Sequence, residues 1–275
     1  MFFESGGARL FFSTMGTGPD LVLLHPTPVD HCFWMPVAEK LAECYRITLL
    51  DFKGHGRSEA AGGVLSIEGL AEDVVRLLDA LGIERAFFAG CSIGSYVLYE
   101  LWRSAPARIR ALALCCGKPQ PDAEANRSKR KQTIEGIARN GTVAFFDQTL
   151  TTLLTPGYRQ REPLKTAELR AMMSRMTAES AVAVQHALMT RPDSVPTVKT
   201  ISVPVLALAG QEDQASTPEE MAVIHQLLSS SEYHLIPGTG HFAPYEKPDT
   251  VAAILESFFG KVSGPDTAIS PHQGA

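Results

Sequence analysis

Residues 84–103 read ERAFFAGCSIGSYVLYELWR, and this stretch carries the strongest indication of the fold. Its first part, Glu84–Ala89, is short and apolar like a buried strand, whereas Ser95–Arg103 contains no Gly or Pro and is typical of a helix. Between them lies the G-x-S-x-G sequence of residues 90–94. A strand that turns into a helix through this pattern exposes a serine hydroxyl above the carboxyl end of the sheet, near the positive end of the helix. The pattern predicts Ser92 as a nucleophile, with a glycine-rich turn of no catalytic role as the alternative.

A serine hydroxyl needs a base to take its proton and an acid to orient that base. On a fold with this turn, the chain order is serine, acid and then histidine. Downstream, Val203–Ala209 predicts a buried strand, and two carboxylates follow it closely. We assign Asp213 as the acid and keep Glu212 as its rival. A loop aspartate that only caps the helix near Pro218 is the non-catalytic alternative.

The candidate base is His241. It follows the predicted strand Tyr233–Pro237 in a loop whose two glycines, Gly238 and Gly240, flank Thr239. Such a loop is tight enough to present a side chain to the serine. Of the eight histidines, His241 alone occupies a glycine-rich loop between the last strand and the last helix.

An oxyanion hole requires two N–H donors, one from the residue after the nucleophile and one from a loop after an early strand. Ile93 supplies the first. The early strand Leu21–Leu24 is followed by His25-Pro26-Thr27-Pro28, in which proline offers no N–H, so Thr27 is the available second donor. A rigid turn without a catalytic part is the alternative.

These motifs resemble the α/β-hydrolase superfamily over roughly residues 8–260. The His25-Pro26 turn is similar to the family's His-Gly oxyanion turn, with Pro in place of Gly. The segment Asp51–Ser58, DFKGHGRS, resembles the family's D-x-R-G-x-G-x-S, with Lys53 where Arg is usual. The resemblance implies an α/β fold, with a mostly parallel sheet covered on both faces and an inserted helical cap.

Within the superfamily, HPTPVDHCFW and the C-terminal GHFAPYEKP resemble the 3-oxoadipate enol-lactonase-like and small carboxylesterase group. This resemblance implies hydrolysis of an ester or lactone through an acyl-enzyme on Ser92, with no cofactor and no metal. A serine at this position argues against the dehalogenases and epoxide hydrolases, which need a carboxylate there. Cys91 stands one position early and is expected to be a buried thiol. The competing functions are a ligand-sensing receptor with little turnover and a carbon–carbon bond hydrolase.

Strand-like and helix-like stretches alternate along most of the chain, as in a parallel sheet covered by helices. Residues 8–15 and 20–25 are expected to form an early strand pair. The alternation stops between about residues 117 and 198, where several amphipathic stretches predict a cap. The expected organisation is a core of residues 1–117 and 198–262, a helical cap of residues 118–197 and a flexible tail of residues 263–275.

The substrate pocket is expected to lie between the serine and this cap. The candidate lining residues are His25, Trp34, Phe145, Phe146, Met172 and Met176. The alternative role of the four cap residues is packing within the cap. The alternative role of Trp34 is to anchor the helix that begins at this residue. A cationic cluster, Arg127, Lys129, Arg130 and Lys131, is expected to be a solvated face that could also attract anionic substrates.

The amino-acid composition excludes several other classes of protein function. The net charge of −5 and the lack of a long basic run argue against nucleic-acid binding. Five cysteines, two of them adjacent, do not resemble a disulfide framework, and no apolar run reaches membrane-spanning length. We therefore expect a cytoplasmic, reduced protein, a monomer or homodimer, whose partner is a small ester or lactone.

Overall fold

The structure is a computed structural model, and it describes residues 1–60, 64–228 and 230–263. The tail predicted for residues 263–275 lies outside these ranges from residue 264 onward. Residue 263 itself ends the last helix.

A single sheet of eight strands passes through the described residues. The strands are β1 (Phe2–Ser5), β2 (Ala8–Met15), β3 (Asp20–Leu24), β4 (Arg46–Leu50), β5 (Ala86–Cys91), β6 (Ile109–Cys115), β7 (Val205–Gly210) and β8 (Ser231–Ile236). Their order across the sheet is β1-β2-β4-β3-β5-β6-β7-β8. Only the pairs β1·β2 and β2·β4 are antiparallel, and the other five pairs are parallel.

Helices connect the strands and cover the sheet. They are α1 (Met35–Leu41), α2 (Ile67–Ala80), α3 (Ile93–Ser104), α4 (Glu124–Asn140), α5 (Val143–Leu153), α6 (Pro156–Arg161), α7 (Pro163–Met173), α8 (Ala178–Thr190), α9 (Val195–Val198), α10 (Pro218–Leu227), α11 (Ala243–Glu246) and α12 (Pro248–Ser263). Within the described ranges, no helix is long and apolar enough to cross a membrane.

The predicted pairing of residues 8–15 with 20–25 is wrong, because β4 lies between β2 and β3. The connection between them packs against the backbone that leads into β4. A Cβ at Gly16, whose φ is +74°, would lie 2.4 Å from the carbonyl oxygens of Ala42 and Tyr45. The loop therefore crosses the end of β4 and does not form a hairpin.

The central strands are buried on both faces, which explains their nearly continuous apolar sequences. Every residue of β5 and β7 is buried. Among the covering helices, α2 begins where the Ser66 hydroxyl accepts the Gly69 N–H, and Gly82 follows its end with a φ of +65°. A serine N-cap and a glycine in the left-handed region after the last turn are both common at helix ends.

Between β6 and β7 the chain forms six consecutive helices, α4 to α9, and no strand. We call this segment the helical insertion. The sheet order places the carboxyl ends of β5, β7 and β8 along one edge, so the loops that follow these strands meet there.

Candidate active site

Ser92 occupies the junction of β5 and α3 in a backbone conformation that non-glycine residues rarely adopt, with φ 53° and ψ −114°. Its N–H donates to the carbonyl of Cys115 at 2.9 Å on the neighbouring strand. The Ser95 hydroxyl donates to the Gly90 carbonyl at 2.7 Å and closes the turn from inside. These bonds hold the strained turn that the G-x-S-x-G sequence predicts.

The two glycines of the turn are required by close backbone approach. A Cβ at Gly90 would lie 2.5 Å from the carbonyl carbon of Gly94, and a Cβ at Gly94 would lie 2.3 Å from the carbonyl oxygen of Leu24. No real Cβ approaches a backbone atom so closely, so larger residues would force the strand and helix apart.

His241 and Asp213 are hydrogen-bonded, with 2.8 Å between Nδ1 of the imidazole and Oδ2 of the carboxylate. The other carboxylate oxygen, Oδ1, accepts the N–H groups of Ala215 at 2.8 Å and Ser216 at 3.0 Å. Asp213 is 3% exposed and His241 4%, whereas the rival Glu212 is exposed. The helix α10 is capped by Thr217, not by Asp213, so the capping alternative does not describe this aspartate.

Backbone contacts bring the loops after β7 and β8 together. A Cβ at Gly210 would lie 2.0 Å from the Gly240 carbonyl oxygen, so glycine is needed where the loops touch. The Glu212 N–H donates to the Thr239 carbonyl at 2.8 Å. The aspartate and the histidine are thus held together by the backbone as well as by their own hydrogen bond.

The loop that carries Thr27 is fixed by two buried, neutral histidines. The Phe52 N–H donates to Nε2 of His25 at 3.0 Å, so Nδ1 carries the proton and donates to the Pro26 carbonyl at 2.8 Å. His55 accepts the Thr27 hydroxyl at its Nε2 at 3.0 Å. Burial lowers the pKa of His25, and it lowers the pKa of His55 to about 3.

The N–H groups of Thr27 and Ile93 are available for a ligand. Neither donates to an acceptor within residues 1–60, 64–228 and 230–263. The Ile93 amide is also at the first position of α3, where helical N–H groups lack internal partners.

A cavity of about 290 Å³ separates these loops from the helical insertion. Ser92, His241 and Thr27 line one side of it. The opposite side comes from three helices of the insertion and is mainly polar: Asn126, Lys129, Arg130, Thr133, Phe145, Gln148, Thr149, Thr152, Leu153, Gln185 and Leu188.

This lining corrects the predicted pocket, because only Phe145 of the six candidates faces the cavity. Phe146 and Met176 are buried in the packing of the insertion, and Met172 packs against the core. Trp34 is fully buried and donates its indole N–H to the Leu24 carbonyl at 2.9 Å, which makes it an anchor. The apolar side chains of the amphipathic helices pack against neighbouring helices, so it is mainly the polar faces of these helices that line the cavity.

Charge in the cavity is predominantly positive. Lys118 pairs with Glu220 at 2.7 Å, and Asp122 is bonded to both Arg130 and Arg191. Burial opposes ionisation of Asp122, but the two guanidinium groups outweigh it and lower its pKa. Within the described part of the chain, Lys129 has no ion-pair partner and stands exposed at the cavity.

Cys91 is fully buried, and its thiol lies 3.7 Å from the carbonyl oxygen of His241. Burial raises the pKa of this thiol well above its usual range, which disfavours a nucleophilic thiolate. Cys91 therefore packs behind the site, and the prediction of a buried thiol is confirmed.

One group outside the cavity, Asp30, His31 and Cys32, has potential metal-ligand atoms within 4.8 Å of one another. One cation and one carboxylate already pair with its members. The Arg175 guanidinium lies 2.6 Å from Asp30, and Asp51 is hydrogen-bonded to His31 at 2.7 Å. Burial disfavours the imidazolium, but the Asp51 bond prevails and raises the pKa of His31 to about 10. These residues do not fit a metal ion.

The fold and this arrangement define a class of protein. Residues 19–248 match the family described as alpha/beta hydrolase fold, and the chain belongs to that family.

Individual relatives are hydrolases of esters and lactones. The chain is similar to 3-oxoadipate enol-lactonase 1 of Acinetobacter baylyi, at 24% identity over 87% of this chain and 88% of the relative. It resembles the solved thermophilic esterase of Thermogutta terrifontis at 28% identity and a TM-score of 0.90, covering 95% of this chain and 97% of that one. The enol-lactonase of Burkholderia xenovorans LB400 has 27% identity and a TM-score of 0.89, covering 94% of this chain and 100% of that one.

Sequence reasoning missed several residues that shape the site. His55 was not distinguished from the other histidines, although it lies within the glycine-containing segment 51–58. Apart from Lys129 and Arg130, which belong to the predicted cationic cluster, the polar residues of α4 and α5 that line the cavity were also missed. Their signal was the polar face of each amphipathic stretch, which is ambiguous between solvent and a cavity.

Proposed function

We propose that this protein is a serine hydrolase that cleaves a small carboxylic ester or lactone through an acyl-enzyme on Ser92. The observation that carries the proposal is the shared cavity. A serine in a strained strand-to-helix turn faces the same space as a histidine whose other ring nitrogen is bonded to a buried aspartate.

The proposed chemistry follows from the hydrogen-bonding roles. The Asp213 carboxylate accepts the Nδ1–H of His241, which leaves Nε2 free to take the proton of the Ser92 hydroxyl. Oγ then attacks the substrate carbonyl carbon, and the N–H groups of Thr27 and Ile93 stabilise the oxyanion. His241 returns the proton to the leaving alkoxide, and it afterwards deprotonates a water molecule that releases the acyl group.

We infer a substrate that is small and carries an anionic group away from the reacting carbonyl. The cavity volume of about 290 Å³ suits a short acyl chain. Three cationic residues and one carboxylate, Asp122, line the cavity, and Lys129 is the cation without a partner among the described residues. An enol-lactone bearing a carboxylate meets these requirements. The Thermogutta terrifontis esterase was solved with malate bound, which is an anionic ligand.

The same proposal assigns the helical insertion as a cap over the serine. The chain's own groups and water carry every proton and bond in this scheme, so it needs no cofactor. We keep a reducing, cytoplasmic location as part of the proposal, and the five free cysteines support it. A monomer or a homodimer is compatible with a site built within one chain.

The test is acid release in a pH-stat with purified protein and three substrate types: short-chain esters, simple lactones and a carboxylated enol-lactone. We expect turnover of at least one, with preference for the carboxylated lactone over an uncharged lactone of similar size. Ser92→Ala is expected to lower turnover by about 10⁴- to 10⁶-fold.

A Cys91→Ser variant serves as the control, because it changes the adjacent buried side chain and leaves Ser92 in place. It should keep activity within about tenfold of the original chain. Retention of more than a tenth of the activity by Ser92→Ala would contradict the proposed nucleophile.

A further inference from the structure

We propose that Glu246 is a positioning residue that ties the helical insertion to the loop of His241, with Thr155 as its partner in the insertion. This inference rests on the proposed function of His241 as the base. It adds the claim that the insertion helps to hold that base in place.

Glu246 ends α11 and is 9% exposed, and its two carboxylate oxygens face different segments. Oε1 accepts the Gly240 N–H at 2.7 Å, directly before His241 in the chain. Oε2 accepts the Thr155 hydroxyl at 2.9 Å and the Thr155 N–H at 3.4 Å. A single buried carboxylate thus bridges the histidine loop and the α5–α6 connection.

The Thr155 hydroxyl acts both as a hydrogen-bond acceptor and as a hydrogen-bond donor at this bridge. Its oxygen accepts the Tyr158 N–H at 3.1 Å as the cap of α6, while its hydrogen is donated to Glu246. A hydroxyl has only one hydrogen to donate, so its direction is fixed. The other bond from Thr155 to this carboxylate is the longer one, which its backbone N–H donates.

A second contact runs beside the bridge. The Leu153 carbonyl at the end of α5 accepts the His241 N–H at 2.9 Å. A Cβ at Gly240 would lie 2.7 Å from that carbonyl oxygen, so the insertion and the loop touch through their backbones. Leu153 also lines the cavity with His241.

These contacts separate two tasks. Asp213 fixes the imidazole ring through Nδ1, whereas Glu246 and Leu153 fix the backbone from which the ring projects. Misplacement of a reacting group by about 1 Å costs on the order of 100-fold in rate. Loosening the backbone tie is therefore expected to lower kcat, and to leave KM within about twofold because neither Glu246 nor Thr155 lines the cavity.

The experiment compares Thr155→Val, Thr155→Ser, Glu246→Gln and the double variant Thr155→Val/Glu246→Gln. Valine keeps the branched shape and removes the hydroxyl, whereas serine keeps the hydroxyl and is the matched control. We expect kcat to fall about tenfold in Thr155→Val and about 100-fold in Glu246→Gln, and to stay within about twofold in Thr155→Ser. The double variant should be no slower than Glu246→Gln, because both changes break one bridge.

A second measurement separates positioning from simple loss of structure. The rate at which a fluorophosphonate labels Ser92 depends on His241 and should fall in parallel with kcat, while Tm shifts by only a few degrees. If Glu246→Gln does not fold, the Thr155 pair decides the question alone.

Two outcomes overturn the inference: Thr155→Val with unchanged kcat and labelling rate, or rate losses that multiply in the double variant. These outcomes leave the proposed function intact. Absence of both turnover and Ser92 labelling in the original chain would refute the proposed function, and the inference with it.

Discussion

Replacing Asp213 by asparagine changes one atom of the carboxylate and is expected to reverse the protonation of the imidazole. The oxygen at the Oδ1 position accepts two backbone N–H groups, from Ala215 and Ser216. An asparagine keeps both bonds only by placing its carbonyl oxygen there. Its NH₂ group then faces Nδ1 of His241 and donates to it, so the ring must carry its proton on Nε2.

An imidazole protonated on Nε2 cannot accept the proton of Ser92. The opposite side-chain orientation would restore the acceptor but would set the NH₂ group against two N–H donors, which costs both hydrogen bonds. We therefore expect Asp213→Asn to lower kcat/KM by about 10⁴-fold, the effect of a wrong tautomer in a serine triad. This corresponds to about 5 kcal/mol of transition-state stabilisation.

The assay is hydrolysis of the best substrate from the pH-stat panel at pH 7 to 8, with the unfolding midpoint in urea as a check on folding. Glu212→Gln is the matched control, since it alters the adjacent carboxylate, which is exposed. It should retain wild-type kcat/KM within about threefold. The proposed role of Asp213 is wrong if Asp213→Asn remains within tenfold of wild type, or if Glu212→Gln loses as much activity.

Three further predictions address the cavity, the anchor and the oxyanion loop. Lys129→Gln should raise KM for a carboxylated substrate about twofold to fivefold and leave KM for an uncharged ester unchanged, as expected for the loss of one exposed charge. Lys131→Gln is the control, because Lys131 does not line the cavity. Equal effects of Lys129→Gln on both substrates would contradict the role of its charge. Trp34→Phe removes the donor to the Leu24 carbonyl and should lower the free energy of unfolding by about 1 to 3 kcal/mol with KM unchanged. A raised KM with an unchanged free energy of unfolding would instead make Trp34 a pocket residue. His55 stays neutral in the folded protein to about pH 3, whereas a histidine in the unfolded chain gains a proton below about pH 6.5. Between these two values the free energy of unfolding should therefore fall by about 1.4 kcal/mol for each unit by which the pH is lowered. Urea unfolding at pH 6.5 and 5.0 should show a smaller loss in His55→Gln than in wild type, and equal losses would argue against a neutral His55.

The strand-to-helix turn at Ser92 could be predicted because its requirements are local. Gly90 must leave room for the backbone of Gly94 and Ser95 within the same turn, and such steric demands leave a mark on the sequence itself. The choice between Asp213 and Glu212 depends on how one loop turns toward another, which short-range sequence patterns do not specify.

The pairing of β2 and the lining of the cavity could not be predicted in this way. A short glycine-rich connection between two strands favours a hairpin, and only the position of β4 excludes it. The cavity depends on how α4, α5 and α8 pack together. Phe146 and Met176 satisfy that packing, which leaves polar residues such as Gln148 and Thr152 toward the serine.

The bridge through Glu246 could not be predicted from the sequence either. Thr155 and Glu246 are 91 residues apart, and although Glu246 falls within the GHFAPYEKP segment, nothing in that segment indicates Thr155 as its partner. Only the folded chain shows that the cap residue of α6 is hydrogen-bonded to the last residue of α11.

The proposed mechanism requires a covalent acyl intermediate on Ser92, and rapid quenching can detect it. The protein is mixed with its best ester substrate, stopped in acid within milliseconds, digested and analysed by mass spectrometry. We predict that the peptide containing Ser92 gains the mass of the acyl group during turnover, and that Ser92→Ala shows neither the adduct nor the turnover. Steady hydrolysis by the original chain with no acylated Ser92 at any quench time, together with persistent activity in Ser92→Ala, would contradict the account.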